Sequence, residues 1–241
     1  MHYAADVAKP PPAPRRGAAC CNDACRHAST CQATRGGATE LLAMRDIVER
    51  MGPFSDGDRL VQPDAPHVAA YAVLSGLAMT VGAGHVLAFH LPGEIFALDV
   101  ARQGQHTSSV VAVGKTWFCR FPRAATDALC EHDDTIASHL RGLRREERRR
   151  ATRAGDAPAL ARVASFLADL LTRRRHVEPD TTFLPLPMSR DDIASYLGMS
   201  AATVTRMLAR LRAGGILMVR ADGVEILDAA GLAMHGLTAS P

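Results

Sequence analysis

Residues 188–217 constrain this chain more than any other stretch, because helix starts, a glycine-closed turn and helical apolar spacing follow one another there in the order of a helix-turn-helix. Ser189 is placed to cap a helix whose third residue is Asp192, the spacing at which a hydroxyl and a carboxylate satisfy each other's backbone donors. Ile193, Ala194 and Leu197 form one apolar face, and Gly198 follows as the residue best able to take the left-handed conformation that ends a helix. After the turn Gly198-Met199-Ser200, Ser200 can cap a second helix. Val204, Leu208 and Leu211 recur in it at helical spacing, which leaves Ala201, Ala202, Thr203, Thr205, Arg206 and Arg210 outward. A small, hydroxylic, basic face of this kind suits a major groove about 12 Å wide, where Arg pairs with a guanine edge and Thr meets a thymine methyl. Gly214 and Gly215 then stop the helix. Ile216 to Val219, the turn Ala221-Asp222-Gly223 and Val224 to Leu227 read as a two-stranded wing. The expected unit is a winged helix-turn-helix on double-stranded DNA, with Ser189, Ser200, Ala202, Thr203, Thr205, Arg206 and Arg210 as its candidate contacts.

At 241 residues the chain is long enough for two domains. No run approaches the roughly 18 apolar residues that cross a bilayer, and Pro10-Pro11-Pro12 and Arg15-Arg16 lie where a secretory signal would need an apolar block. A cytoplasmic protein without membrane contact is expected. A net charge of +3 excludes a polycation, so any phosphate-binding charge must be local. Arg141, Arg144, Arg145, Arg148, Arg149, Arg150 and Arg153 crowd one segment, and Arg173, Arg174 and Arg175 another. Because Lys9 and Lys115 are the only lysines, this bias reads as genome composition before phosphate chemistry. Enzyme signatures are missing: there is no Gly-rich phosphate loop, no Gly-x-Ser-x-Gly and no His-Glu-x-x-His.

Six cysteines in a cytosolic chain point away from disulfides and towards metal, catalysis or redox sensing. Cys20, Cys21, Cys25 and Cys31 lie close together in a stretch without apolar period. Cys119 stands far away in Trp117-Phe118-Cys119-Arg120-Phe121, which reads as a strand beside a core. Three thiolates from an arm and one from a strand can hold an iron-sulfur cluster and pin the arm to the domain. Zinc on the same thiolates, joined by His27, fits the spacing equally. Cys20 reads as spare or as a substitute for Cys21, and Cys130 as a buried small hydrophobe in a helix.

From Pro53 to about Pro122, short apolar runs alternate with turn residues, the pattern of a small antiparallel barrel or jelly roll. A long helical region follows from about Ala124 to Arg153. After a break near Gly155 to Pro158, a second helix runs from Ala159 to about Arg175 with Leu160, Val163, Ala164, Leu167, Leu170 and Leu171 on one side. Pro179, Pro185 and Pro187 mark the connection into the DNA-binding unit.

This order, with Cys25-Arg26-His27-Ala28-Ser29-Thr30-Cys31, with Phe118-Cys119-Arg120-Phe121-Pro122 and with Met188 to Gly198, resembles the CRP/FNR family of bacterial transcription factors, in its FNR-like, oxygen-sensing branch. Tyr71 to Gly76 and Phe89 to Glu94 also look like that family. The resemblance implies an α+β chain: a tail and cysteine arm (1–37), a cyclic-nucleotide-binding-like antiparallel β-barrel (38–123), a dimerisation helix (124–154) and a winged helix-turn-helix (155–241). It implies an oxygen-labile [4Fe-4S] cluster on Cys21, Cys25, Cys31 and Cys119, a homodimer joined through Ile136, Leu140 and Leu143, a palindromic DNA site, and RNA polymerase as partner. Genes of anaerobic or microaerobic metabolism would be its targets.

The chain departs from the family pattern in four places. Cys21 and Cys25 are separated by three residues where the family has two. Ala202 stands where the family has a base-contacting Glu, which leaves Arg206 as the main base reader of an altered half-site. The connecting helix is short and Arg-rich, with Glu146 and Glu147 placed to pair across a seam that lacks apolar positions. The hairpin at Gly82-Ala83-Gly84 is short, and Gln105-His106-Thr107-Ser108-Ser109 lacks the Arg-Ser phosphate signature, so cyclic AMP is not expected.

Overall fold

The computed structural model describes residues 15–16, 47–97, 104–132, 134, 137–138, 140–143, 145 and 157–237. Cys20, Cys21, Cys25, Cys31 and Ile136 lie outside the described residues, as does most of the Arg-rich end of the connecting helix. The chain divides into two compact units, one up to Arg153 and one from Ala154.

The first unit is built on one seven-stranded antiparallel sheet. Its strands are β1 (Arg15–Arg16), β2 (Glu49–Phe54), β3 (Arg59–Val61), β4 (Ala69–Gly82), β5 (His85–His90), β6 (Ile95–Phe96) and β7 (Ser109–Pro122). The path is β1-β2-β7-β4-β5, with β3 added on β7 and β6 on β4. Strands β4 and β7 are the spine. Their two-residue period separates two cores. Ala69, Tyr71 and Val73 of β4 join Phe118 of β7, Phe54 and Phe96 in the inner core. Ala70 and Ala72 of β4 face outward with Cys119 and Phe121 of β7 and meet Val48, Ile95 and Leu140. A strand buried on both faces reads as a continuous apolar run, as Ala69 to Val73 does.

Helix α1 (Arg123–His132) follows β7 directly, and the described residues 134, 137–138, 140–143 and 145 are helical. Leu129, Cys130 and Leu143 pack on the outer core, in which Leu140 is buried. Of the three proposed seam residues, Leu140 and Leu143 pack on the sheet of their own chain, whose outward side chains on β4 and β7 are apolar.

The second unit holds α2 (Ala159–Arg175), β8 (Phe183–Pro185), α3 (Arg190–Leu197), α4 (Ala201–Ala213), β9 (Leu217–Val219), β10 (Gly223–Ile226) and α5 (Ala229–Leu237). Helix α2 spans the expected residues but buries a wider face, adding Ala161 and Phe166, while Leu160 is only half-buried. Two elements were not expected. Strand β8, in the proline-marked connection, pairs with β10 through Pro185↔Gly223 and Leu184↔Val224, so the wing is a three-stranded sheet. Helix α5 lies on α2. Its Gly236 packs so closely that an added Cβ would sit 2.8 Å from Ser165 Oγ, and Ser165 Oγ donates to the Gly236 carbonyl at 3.2 Å. Gly236 weakens α5 as an isolated helix and lets it dock on α2.

Candidate nucleic-acid interface and cysteine site

The helix-turn-helix is built from its caps. Ser189 Oγ accepts from the Asp192 amide at 3.0 Å, the Ser189 amide donates to Asp192 Oδ2 at 3.0 Å, and the Ser189 hydroxyl donates to the same carboxylate oxygen at 2.7 Å. The capping box is complete, and Ile193, Ala194 and Leu197 are buried as their spacing requires. Ser189 donates its hydroxyl to Asp192 and so serves as the cap of α3.

Gly198 ends α3 at φ 61°, ψ 43°, where any L side chain is strained. The Met199 amide returns to the Ala194 carbonyl at 3.0 Å, and Arg162 Nη1 of α2 donates to the Leu197 carbonyl at 2.8 Å, so the turn is held from two sides.

Helix α4 starts at Ser200, whose Oγ accepts from the Thr203 amide at 3.2 Å. Val204, Met207, Leu208 and Leu211 are buried. Ala202, Thr205, Arg206 and Arg210 are exposed, and Thr203 is half-buried. Thr205 donates its hydroxyl to the Ala201 carbonyl at 3.0 Å, which leaves its methyl and its lone pairs for a base edge. Arg206 Nη2 donates to Thr203 Oγ1 at 3.4 Å. Together these residues make one exposed face of methyls, hydroxyls and guanidinium groups without a carboxylate, suited to the acceptor-rich edge of guanine and to phosphate.

Two further bases fall in this unit that the sequence reading did not single out. Arg212 is exposed in the last turn of α4, and Arg220 is exposed at the wing turn, where its amide donates to the Gly223 carbonyl at 2.9 Å. A lone Arg at a hairpin tip was the available signal. Arg190 at the start of α3 is half-buried, and burial pushes its pKa below the ordinary arginine value. The run at 173–175 is structural. Arg173 pairs with Asp169 at 3.0 Å, Arg174 with Glu178 at 2.8 Å, and Arg175 donates to the Thr181 carbonyl at 3.1 Å.

In the sheet unit, Cys119 is 3% exposed and sits in the outer core between β7 and the lid residues Leu129, Cys130, Leu140 and Leu143. It is disulfide-bonded. Cys130, the other described cysteine, carries no disulfide. The sequence reading, which favoured metal over disulfides, did not anticipate this bond. Around the site, Arg50 is the register partner of Cys119 on β2 and lies 4.3 Å over the Trp117 ring, while Arg120 pairs with buried Glu49. Burial pushes the Tyr71 hydroxyl up, opposed by Arg120. Among the described residues no three His, Cys, Asp or Glu side chains gather as a metal site.

The segment that replaces a phosphate signature turns inward. The His106 ring lies 5.1 Å from that of His67, and both are buried. Burial, and then the neighbouring His67, push the His106 pKa down to about 4, so it stays neutral at physiological pH. His67 Nε2 lies 2.8 Å from the Ala97 carbonyl, and the His67 amide donates to the Gly104 carbonyl at 2.8 Å. A neutral imidazole facing another imidazole is a poor anion site. Among the described residues no helix is long and apolar enough to cross a membrane.

Comparison with known proteins gives this architecture its family. Residues 161–234 match the Crp-like helix-turn-helix domain, and residues 52–133 match the cyclic nucleotide-binding domain. The nitrogen fixation regulation protein FixK of Bradyrhizobium diazoefficiens is 27% identical over 88% of this chain and 91% of its own length. The transcriptional activator protein Anr of Pseudomonas aeruginosa is 28% identical over 86% of this chain and 88% of its own. Among solved structures, FixK2 from Bradyrhizobium japonicum superposes with a TM-score of 0.69 at 26% identity, covering 78% of this chain and 96% of that one. With an antiparallel sheet domain, a Crp-type helix-turn-helix and relatives matched over most of their length, the chain belongs to the CRP/FNR family of DNA-binding transcription regulators.

Proposed function

We propose that this regulator binds a palindromic site as a homodimer, reads each half-site chiefly through Arg206, and is switched by oxygen through a [4Fe-4S] cluster held by Cys21, Cys25, Cys31 and Cys119. RNA polymerase is the partner it would engage at promoters of anaerobic or microaerobic metabolism, in the cytoplasm. The observation that carries the sensing part is the position of Cys119. It is the described cysteine that lies inside the apolar contact between β7 and the helical lid, where Leu140 and Leu143 pack. A ligand there is shielded from water and touches the stretch that links the two units.

A bound cluster would supply an oxygen-labile tie between the arm and β7. The residues of the chain do the rest. Cys119 anchors the tie to the spine of the sheet, and Leu140 and Leu143 register any shift of that anchor in the lid. A change at the cysteine site can then bias the helix through differential packing. The buried, neutral His106 supports a signal other than a cyclic nucleotide.

The disulfide at Cys119 favours a second reading, in which the signal is thiol oxidation itself. One experiment separates the two. The protein is purified without oxygen, its visible spectrum, iron and sulfide are measured, and it is then exposed to air. A brown species with about four iron per chain that bleaches in air, and is lost in Cys25→Ser and Cys119→Ser, supports the cluster. Colourless protein whose DNA affinity follows a dithiol reductant supports the thiol switch. Colourless protein indifferent to both air and reductant rejects both.

A further inference from the structure

Three polar groups stand in series on the exposed side of α4, at Ser200, Thr203 and Arg206, each three residues from the next. Ser200 Oγ lies 2.9 Å from Thr203 Oγ1, Ser200 Oγ accepts from the Thr203 amide at 3.2 Å, and Arg206 Nη2 donates to Thr203 Oγ1 at 3.4 Å. Thr203 Oγ1 accepts from the guanidinium, and with its second lone pair or its own proton it also joins Ser200 Oγ, either hydroxyl being able to donate in that contact. Thr203 is the one hydrogen-bonding partner of the Arg206 side chain among the described residues, and α4 carries no carboxylate.

We propose that Thr203 is a positioning residue that aims Arg206 at a guanine, and so sets the base preference of the half-site without itself touching a base. The proposal rests on the DNA-reading function above. An exposed arginine has a long stem with many rotamers, and forking onto guanine O6 and N7 removes that freedom. A hydroxyl one turn back restricts the stem beforehand and leaves the positive charge whole; a carboxylate in its place would take up part of that charge. One guanidinium N–H is used on Thr203, and the others remain for the base edge. Thr203 is in turn held by the cap, so the aim of Arg206 is tied to the first turn of α4. Ser200 is exposed at the start of α4, where a hydroxyl contact to a phosphate oxygen positions without specifying.

The test uses the full-length chain, purified and assayed without oxygen, on a duplex library with two inverted randomised half-sites; the bound fraction is sequenced. Arg206→Ala should erase a guanine preference at one position of the half-site. Thr203→Val, nearly isosteric and without the hydroxyl, should weaken the preference at that same position about tenfold, with affinity for non-specific DNA and the salt dependence unchanged. Thr203→Ser should restore it. Combined with Arg206→Ala, Thr203→Val should have no further effect on base preference. Thr203→Val that keeps the guanine preference, weakens all sequences alike and lowers the salt slope by about one would overturn the proposal and make Thr203 a phosphate contact. A wild-type chain that enriches no sequence, or an Arg206→Ala chain that enriches the wild-type sequence, would overturn the DNA-reading assignment itself.

Discussion

The two units use burial in opposite ways. In the helix-turn-helix unit the proposed DNA-reading residues, Thr205, Arg206 and Arg210, stand exposed on a helix whose other side is packed through Val204, Met207, Leu208 and Leu211. In the sheet unit the proposed sensing residue, Cys119, is buried between a strand and its lid. A group that reads an external surface must be presented, and a rigid helix presents it at low cost in further ordering. A group that alters packing must already be inside it. The contrast explains why the proposed readout residues are polar and exposed, whereas the sensing candidate is a sulfur buried among mostly apolar neighbours.

Core truncations give the largest effects and test whether the units are separate folding bodies. Trp117 is the only tryptophan and lies in the sheet unit, so its fluorescence follows that unit alone. Phe118→Ala should destabilise the sheet unit by about 3–5 kcal/mol and move the Trp117 denaturation midpoint. Leu211→Ala should cost the other unit about 2–5 kcal/mol, abolish DNA binding and leave the Trp117 midpoint in place. A Trp117 midpoint that shifts equally in Leu211→Ala would break the comparison.

Acid sharpens it. His106 is neutral in the fold, with a pKa of about 4 against an ordinary 6.5, so the unfolded chain takes up its proton first as pH falls. The contribution of the neutral ring is fully present above about pH 6.5 and is lost progressively down to about pH 4, a loss on the order of 2–3 kcal/mol. Urea titrations of the sheet unit across that range should show the slope, and His106→Gln should flatten it. The helix-turn-helix unit, followed by circular dichroism, should lack this component.

The two N-caps give the smallest effect and the finest comparison. Ser189→Ala should cost the helix-turn-helix unit about 1 kcal/mol and leave the salt dependence of DNA binding as it was, because its proton is held by Asp192. Ser200→Ala should cost a similar amount of stability and also lower the salt slope by about one. Equal salt slopes in the two variants would remove the distinction between a purely structural cap and one with a proton to donate.

What was legible in the sequence was whatever a few neighbouring residues decide. Ser189 with Asp192, Gly198 at the turn, Ser200 and Thr203, and the buried face of α4 each depend on contacts within one or two turns, and each stands in the structure where the spacing put it. The two-face burial of Ala69 to Val73 was legible as an apolar run, although not the division of alternate residues between two cores.

Distant partners decided the rest. Pro185 marks only a connection until β10 is there to pair with it on an edge, and α5 docks where Gly236 comes too close to Ser165 of α2 for a larger residue. The helical period of Leu140 and Leu143 did not reveal that the outward residues of β7 and β4 would pack against them. The sequence by itself determined the DNA-reading unit, since caps and turns are short-range chemistry. Tertiary structure alone decided that Cys119 lies beneath the helical lid, because the side of a strand that becomes interior depends on what is folded over it.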